Sequence, residues 1–196
     1  MAATTILLAR HGETEWNRDD RFQGQADQPL NAAGREQARV LAEALAEEQL
    51  VAVYTSPLRR AAETAKMIAA RHGLPVEPLE GLREVDVGSW EGLTRTELER
   101  RHPEQFRRWL VEHERGWENG ETYEEMGRRV VAALLGLAER HEGARILAVT
   151  HGGPIRSAIA FAEGISYAEA RRRGPAIGNC FVAGFAAEDG LLRRLD

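Results

Sequence analysis

The sequence predicts an α/β protein, a three-layer α/β/α sandwich around a largely parallel central sheet. Two observations predict it. Short apolar runs at residues 6–9, 50–55 and 145–150 alternate along the chain with amphipathic stretches of helical period. Two of those runs also end alike, on a histidine followed by glycine, at His11-Gly12 and at His151-Gly152. An imidazole does not belong in a sheet core, so both side chains should emerge at a strand's carboxyl end. In an open α/β sheet that edge is where ligands bind.

The whole chain sets bounds on this. Its 196 residues, 43% of them apolar, are enough for one globular domain spanning residues 1–196. No internal repeat, linker or low-complexity segment interrupts it. The net charge is −5, and all but one of the 26 basic residues are arginine, Lys66 being the exception. No basic tail or stripe points to nucleic acid, so an anion site must be locally positive. The single cysteine, Cys180, excludes an intrachain disulfide and a multi-cysteine zinc cluster. Residues 1–5 are too short for a signal peptide, and no apolar run approaches the ~18 residues of a membrane span. The expectation is a soluble, cytoplasmic protein without membrane or nucleic-acid partners; a homodimer is left open.

In chain order, the first strand ends at Arg10-His11-Gly12, where glycine allows a sharp turn or a close approach to a ligand. A polar loop over residues 18–28 follows. Asn31 is the expected cap of the next helix, and Ala38, Leu41, Ala42 and Leu45 form its buried face. A strand is expected at 50–55. Ser56 then suits an N-cap and Pro57 a first helical position, either as a plain helix start or to deliver an arginine beside anion-attracting N–H groups. Residues 74–79 contain two prolines and are expected to form an edge strand.

Glu84, Asp86 and Glu91 come next, and composition alone does not rank them. Thr94 with Glu97, and Thr122 with Glu125, form expected capping boxes. Between them, residues 93–120 are charged but carry Phe106, Trp109 and Trp117, as a surface helix pair or a lid would. A long helix through about residue 141 should bury Met126, Val130, Ala133, Leu134 and Leu137. After the strand at 145–150 and a helix over 154–161, residues 181–186 and 191–195 are expected to form a hairpin, with Cys180 a small buried residue before it. His72, His102, His113 and His141 lie among Arg, Glu or Pro and are expected to be solvated, unlike His11 and His151.

Four motifs in this order resemble those of the histidine phosphatase superfamily, which includes the cofactor-dependent phosphoglycerate mutases. They are Arg10-His11-Gly12-Glu13-Thr14 followed by Trp16-Asn17; Ser56-Pro57-Leu58-Arg59-Arg60-Ala61 with Thr64; Leu82-Arg83-Glu84 followed by Gly88-Ser89-Trp90-Glu91-Gly92; and His151-Gly152. The segment from Arg21 to Asp27 resembles the family's phosphate-pocket loop. The resemblance implies a phosphoglycerate mutase-like fold and a phosphohistidine intermediate. It makes His11 the nucleophile, Glu84 the general acid, and Arg10, Arg60 and His151 the catalytic cations. Asn17, Gln23, Gly24 and Gly152 would join Arg10, Arg60 and His151 in binding substrate. Asn31 stands where many relatives carry Thr or Ser, which touches only a helix cap.

This chemistry suits the residue types. Phosphate monoesters are extremely slow to hydrolyse, and transfer depends on positioning and charge stabilisation. A neutral imidazole attacks well near pH 7 if one ring nitrogen is bare and the other is held by an acceptor. Arginines can clamp the phosphoryl oxygens in pairs of hydrogen bonds, and a protonated His151 would add a third cation. Competing phosphate chemistries lack their motifs. There is no Walker A pattern, no Gly-x-Ser-x-Gly, and no His-x-His or His-Glu-x-x-His. The sixth residue after Cys180 is Ala186, not the arginine of a cysteine phosphatase. The resemblance implies a histidine acid phosphatase-type phosphomonoesterase of the short phosphatase branch, expected to act on a small phosphate ester with no metal and no cofactor. A phosphoglycerate mutase and a silent phosphate-binding module are the alternatives.

Overall fold

The computed structural model describes residues 2–113 and 115–195; Glu114, in the segment expected as a lid or surface pair, lies outside them. Its sheet has six strands in the order β3-β2-β4-β1-β5-β6. These are β1 (Thr4–Arg10), β2 (Leu50–Thr55), β3 (Val76–Pro78), β4 (Arg145–Thr150), β5 (Val182–Glu188) and β6 (Leu191–Arg194). β3, β2, β4 and β1 pair in parallel, and β5 returns antiparallel to both β1 and β6. The expected largely parallel sheet is therefore present, with the expected hairpin at one edge and the short proline-containing strand at the other.

Helices cover both faces, which explains why β4 is apolar from Ile146 to Val149. On one face Leu147 and Val149 pack with Ala9 and Val53 against α2 (Ala32–Ala44) and α3 (Arg59–His72). On the other, Ile146 and Ala148 pack with Ile6, Leu8 and Phe185 against α6 (Tyr123–Arg140) and α7 (Gly152–Glu163). Met126, Val130, Leu134 and Leu137 form the buried stripe of α6; Ala133 is only half-buried. Asn31 caps α2 by accepting from the Gly34 N–H at 2.8 Å. The boxes Thr94/Glu97 and Thr122/Glu125 are both reciprocal, opening α4 (Arg95–Arg101) and α6.

Several expectations need correction. α3 starts at Arg59, two residues later than the Ser-Pro pair suggests. Asp27 supplies the oxygen that receives the Arg59 N–H, at 2.7 Å, so the cap comes from a distant loop and Ser56 is free for other work. α7 opens two residues before Pro154. Two short helices went unforeseen: α1 (Glu15–Arg18), opened by Thr14 and Asn17, and α8 (Tyr167–Arg173), opened by Ser166 and Glu169. Cys180 is half-buried with a left-handed φ of 57°, a corner rather than a core position. None of the other four histidines is fully solvated; His141 bonds the Tyr54 hydroxyl at 2.8 Å through Nε2. The charged 93–120 segment folds as α4, α5 (Pro103–Arg107) and a π-helical turn at Arg108–Glu112, and buries Leu98, Phe106, Trp109 and Trp117.

Candidate active site

The parallel register sets Arg10 opposite Thr150, so His11 and His151 leave the sheet side by side. The His11 N–H still reaches the Thr150 carbonyl at 3.1 Å. Their rings lie 5.1 Å apart at 62°. On the far side of β4, Ser56 continues β2 and donates its N–H to Val149 O at 2.9 Å. Three neighbouring strand ends thus deliver two imidazoles and a hydroxyl to one place.

Arg60, near the start of α3, joins the two rings. Its Nε–H is shared between His11 Nε2 and His151 Nδ1, each at 3.2 Å. Its two terminal nitrogens donate to Gly24 O at 2.8 Å and Ala26 O at 2.6 Å. Gly24 turns with φ +49°, and a Cβ there would press on Val87. Because Arg60 can only donate, both facing ring nitrogens carry lone pairs, and the protons sit on the opposite nitrogens. His11 Nδ1–H donates to its neighbour's carbonyl, Gly12 O, at 2.7 Å. His151 Nε2–H donates to Ser56 Oγ at 2.8 Å.

His11, Arg60 and His151 are 3%, 1% and 0% exposed, which sets their protonation. Burial and then Arg60 hold both imidazoles well below the ordinary histidine range, with Arg10 adding to the effect. Both are neutral at pH 7. The expected third cation is thus absent until an anion offsets the arginines. Burial lowers Arg60 itself to about 10, still charged. Burial also lowers Arg10, whose Nε has no partner and whose other end donates to Ile177 O.

Glu84 is the carboxylate that reaches the cavity; Asp86 and Glu91 do not line it. Its oxygens accept from Val85 N at 2.9 Å and Gly153 N at 3.3 Å. Asp86 instead closes a turn on Gly88 N, and Glu91 is exposed. Arg129, on α6, holds the Glu84 segment by donating to the carbonyls of Gly81, Arg83 and Glu84 while pairing with Glu121.

The cavity is about 200 Å³. Arg10, His11, Asn17, Gln23, Gly24, Arg60 and Glu84 line it, as expected from sequence. Asn17 Oδ1 is held by Thr14 N and Asn179 Nδ2, which leaves its amide nitrogen to meet a ligand. His151 lies just behind, reaching the cavity through Arg60. Gly152 does not line it; Gly153 does, and a Cβ at 153 would collide with Glu84. Gly12 makes a close approach to the backbone of Gly34 and does not line the cavity. The rest of the wall comes from Arg21 and Phe22 of the expected pocket loop, from Trp109 and Trp117 of the segment expected as a surface pair or lid, and from Tyr123 and Tyr167, which the sequence did not single out. Tyr123 and Tyr167 stack at 4.0 Å, and Trp109 donates to the Tyr123 hydroxyl at 3.0 Å.

Fold and site together define an open α/β protein with a buried imidazole pair and two arginines at the carboxyl edge of its sheet, an arrangement suited to holding an oxyanion. The comparisons with known proteins agree. Residues 6–194 match the family model of the histidine phosphatase superfamily (branch 1), and the chain belongs to that family. It is 42% identical over 159 residues to phosphoglycerate mutase-like protein 4 of Arabidopsis thaliana, covering 78% of this chain and 68% of that protein. It is 41% identical to the metal-independent phosphoserine phosphatase of the same plant, covering 79% and 66%. The structure of the phosphoserine phosphatase mutant H9A from Entamoeba histolytica in complex with phosphoserine superposes with a TM-score of 0.86 at 28% identity, covering 98% of this chain and 95% of that one. The family and its phosphatase members establish this chain as a histidine phosphatase-superfamily phosphatase. Among its described residues no helix is long and apolar enough to cross a membrane.

Proposed function

We propose that the chain is a metal-independent phosphomonoesterase of the histidine acid phosphatase type, working through a phosphohistidine on a small phosphorylated metabolite. The observation that carries this reading is the bond from His11 Nδ1 to Gly12 O at 2.7 Å. It fixes the proton on one ring nitrogen and leaves the Nε2 lone pair facing Arg60 in the cavity. The Nε2 lone pair attacks phosphorus, and the P–O bond to the alcohol breaks as the N–P bond forms. The phosphorylated ring is cationic, and Gly12 O, still accepting from Nδ1, supports that charge. Arg10 and Arg60 hold the phosphoryl oxygens, with Asn17, Gln23 and the Gly24 turn around them. Glu84 in its acid form gives its proton to the departing alkoxide. It then takes one from the water that breaks the N–P bond, returning phosphate and neutral His11.

A metal-free route is supported by the clamp of guanidinium and imidazole, and by the name of the Arabidopsis relative. Among the described residues no three His, Cys, Asp or Glu side chains cluster as metal ligands. Turnover that survives prolonged chelation and is inhibited by vanadate is the expected result. Activity lost on chelation and restored by one divalent ion would contradict it.

The small cavity suits a metabolite. The relatives' names make phosphoserine and phosphoglycerates the first esters to screen. Rapid quenching with labelled ester should trap an acid-labile, base-stable adduct on the His11 peptide. A phosphoglycerate mutase is the second reading, favoured by the mutase-like name of one relative. Given 3-phosphoglycerate with and without 2,3-bisphosphoglycerate, the chain is expected to release phosphate; rapid formation of 2-phosphoglycerate with little free phosphate would favour the mutase.

A further inference from the structure

Ser56 is fully buried, does not cap the helix after it, and places its Oγ 2.8 Å from His151 Nε2. The backbone N–H of Leu58 also points to that oxygen, at 3.3 Å. On the other side of the same ring, Nδ1 can only accept, because its partner is the Arg60 Nε–H. The ring is therefore held between an acceptor on one edge and a donor on the other. We propose that Ser56 is a positioning residue: by accepting the Nε2–H of His151, it keeps the Nδ1 edge of that ring turned to the phosphoryl site.

The groups facing His151 are Arg60 from α3, His11 and Arg10 from the end of β1, and Arg129 from α6, with the Glu84 carboxylate close by on the Gly153 amide. Three of these are cations, so the free protein keeps the ring neutral. A phosphoryl dianion changes the balance: it takes over the Arg60 Nε–H, and the freed Nδ1 takes up a proton from solvent, which it donates to a phosphoryl oxygen. Ser56 needs no rearrangement for this step. Its oxygen accepts from Nε2–H before and after, and the ring changes charge without flipping. Without that acceptor, a buried ring N–H loses its partner, which weighs most on the charged form.

This inference rests on the phosphatase reading for its second half only, and the test separates the two. His-¹⁵N-labelled protein, with the His151 signal assigned by its loss in His151→Gln, reports the tautomer directly and needs no turnover. The expected result is the Nε2–H tautomer in both proteins, with the Nε2–H proton held downfield and protected by Ser56 Oγ in the wild type but shifted upfield and exchanging fast in Ser56→Ala. Ser56→Cys, which keeps the volume but accepts hydrogen bonds poorly, should behave like alanine, and Ser56→Thr should restore the wild-type Nε2–H signal. Orthovanadate inhibition is then followed from pH 6 to pH 9. In Ser56→Ala it should weaken about ten- to a hundredfold at pH 8, the scale of a hydrogen bond to a charged group. The loss should shrink toward pH 6, where protons are more available. An unchanged Nε2–H signal, or an unchanged pH profile in both the alanine and cysteine variants, overturns the proposal. An Nε2–H signal governed by Ser56 in a protein that binds no vanadate would uphold the positioning and overturn the phosphatase reading.

Discussion

The two strand–histidine–glycine junctions are alike in sequence and opposite in wiring. His11 anchors its ring to the very next carbonyl through Nδ1 and exposes Nε2. His151 anchors its ring to Ser56 through Nε2, 95 positions away in the chain, and turns Nδ1 inward. One ring is held by backbone that no substitution removes, whereas the other depends on a side chain from a different strand. A nucleophile needs its free nitrogen fixed at all times, while a residue that only answers the substrate's charge can be held by something softer. The chain after each ring differs to match. His11 leads into a loop and the short α1, and His151 starts the twelve-residue α7.

The largest effect should separate the two rings outright. His11→Ala should lose about 10⁴-fold or more in turnover, as when a nucleophile is removed. His151→Gln should lose less, about 10²–10³-fold, because it removes stabilisation and not the attacking atom. Equal losses, or a trapped phosphoryl group on the His151 peptide, would break the comparison.

Glu84→Gln should come next, at about 10²–10⁴-fold on an alkyl phosphate. The loss should be far smaller in the nitrophenol burst from p-nitrophenyl phosphate, whose leaving group needs no proton. Equal losses on both substrates would remove Glu84 from the acid's role. The neighbouring Glu91 provides the control. It is exposed and outside the cavity, so Glu91→Gln should change turnover by less than about threefold.

The shared burial of the two rings can be read in stability. Each histidine is held below its unfolded range, so below about pH 6.5 the unfolded chain takes up protons that the native state refuses. Their contribution is fully present above that pH and is lost as the pH falls. The unfolding free energy from urea titrations should drop between pH 7.5 and pH 5.5 by at most about 2–3 kcal/mol in total for the pair. His11→Ala and His151→Gln should each remove about half of that slope, and a slope unaltered by both would mean that other groups govern it. Bound vanadate should flatten it in part, since an anion lets the His151 ring charge.

The parts of this site visible in the sequence are those written in a few consecutive residues. Both junctions announce themselves because a buried strand cannot end on an imidazole without reason, and the boxes at Thr94 and Thr122 because cap and partner are three positions apart. Ser166 and Glu169 carry the same spacing at the start of α8. Ser56 was misjudged for a physical reason. A serine before proline is a good cap by local rules, but the oxygen that caps α3 came from Asp27 across the fold. Choosing Glu84 over Asp86 and Glu91 took family resemblance, since the deciding contact is with Gly153 on α7. The aromatic wall had no period to betray it. Phe22, Trp109, Trp117, Tyr123 and Tyr167 come from separate segments and meet only in three dimensions.

The contact between Gly12 and Gly34 reaches further than its size suggests. Gly12 and Gly34 lie so close that a Cβ on the first would strike the second's carbonyl, and a Cβ on the second would strike Glu13. Nothing at position 34 faces the cavity, yet the segment that carries His11 rests directly on it. To a mutational scan, residue 34 would therefore look like part of the reaction centre. A single methyl group there would move the nucleophile's loop and silence the enzyme while leaving every lining side chain chemically intact. A map of functional positions drawn from loss of activity would then include a site that no substrate ever meets.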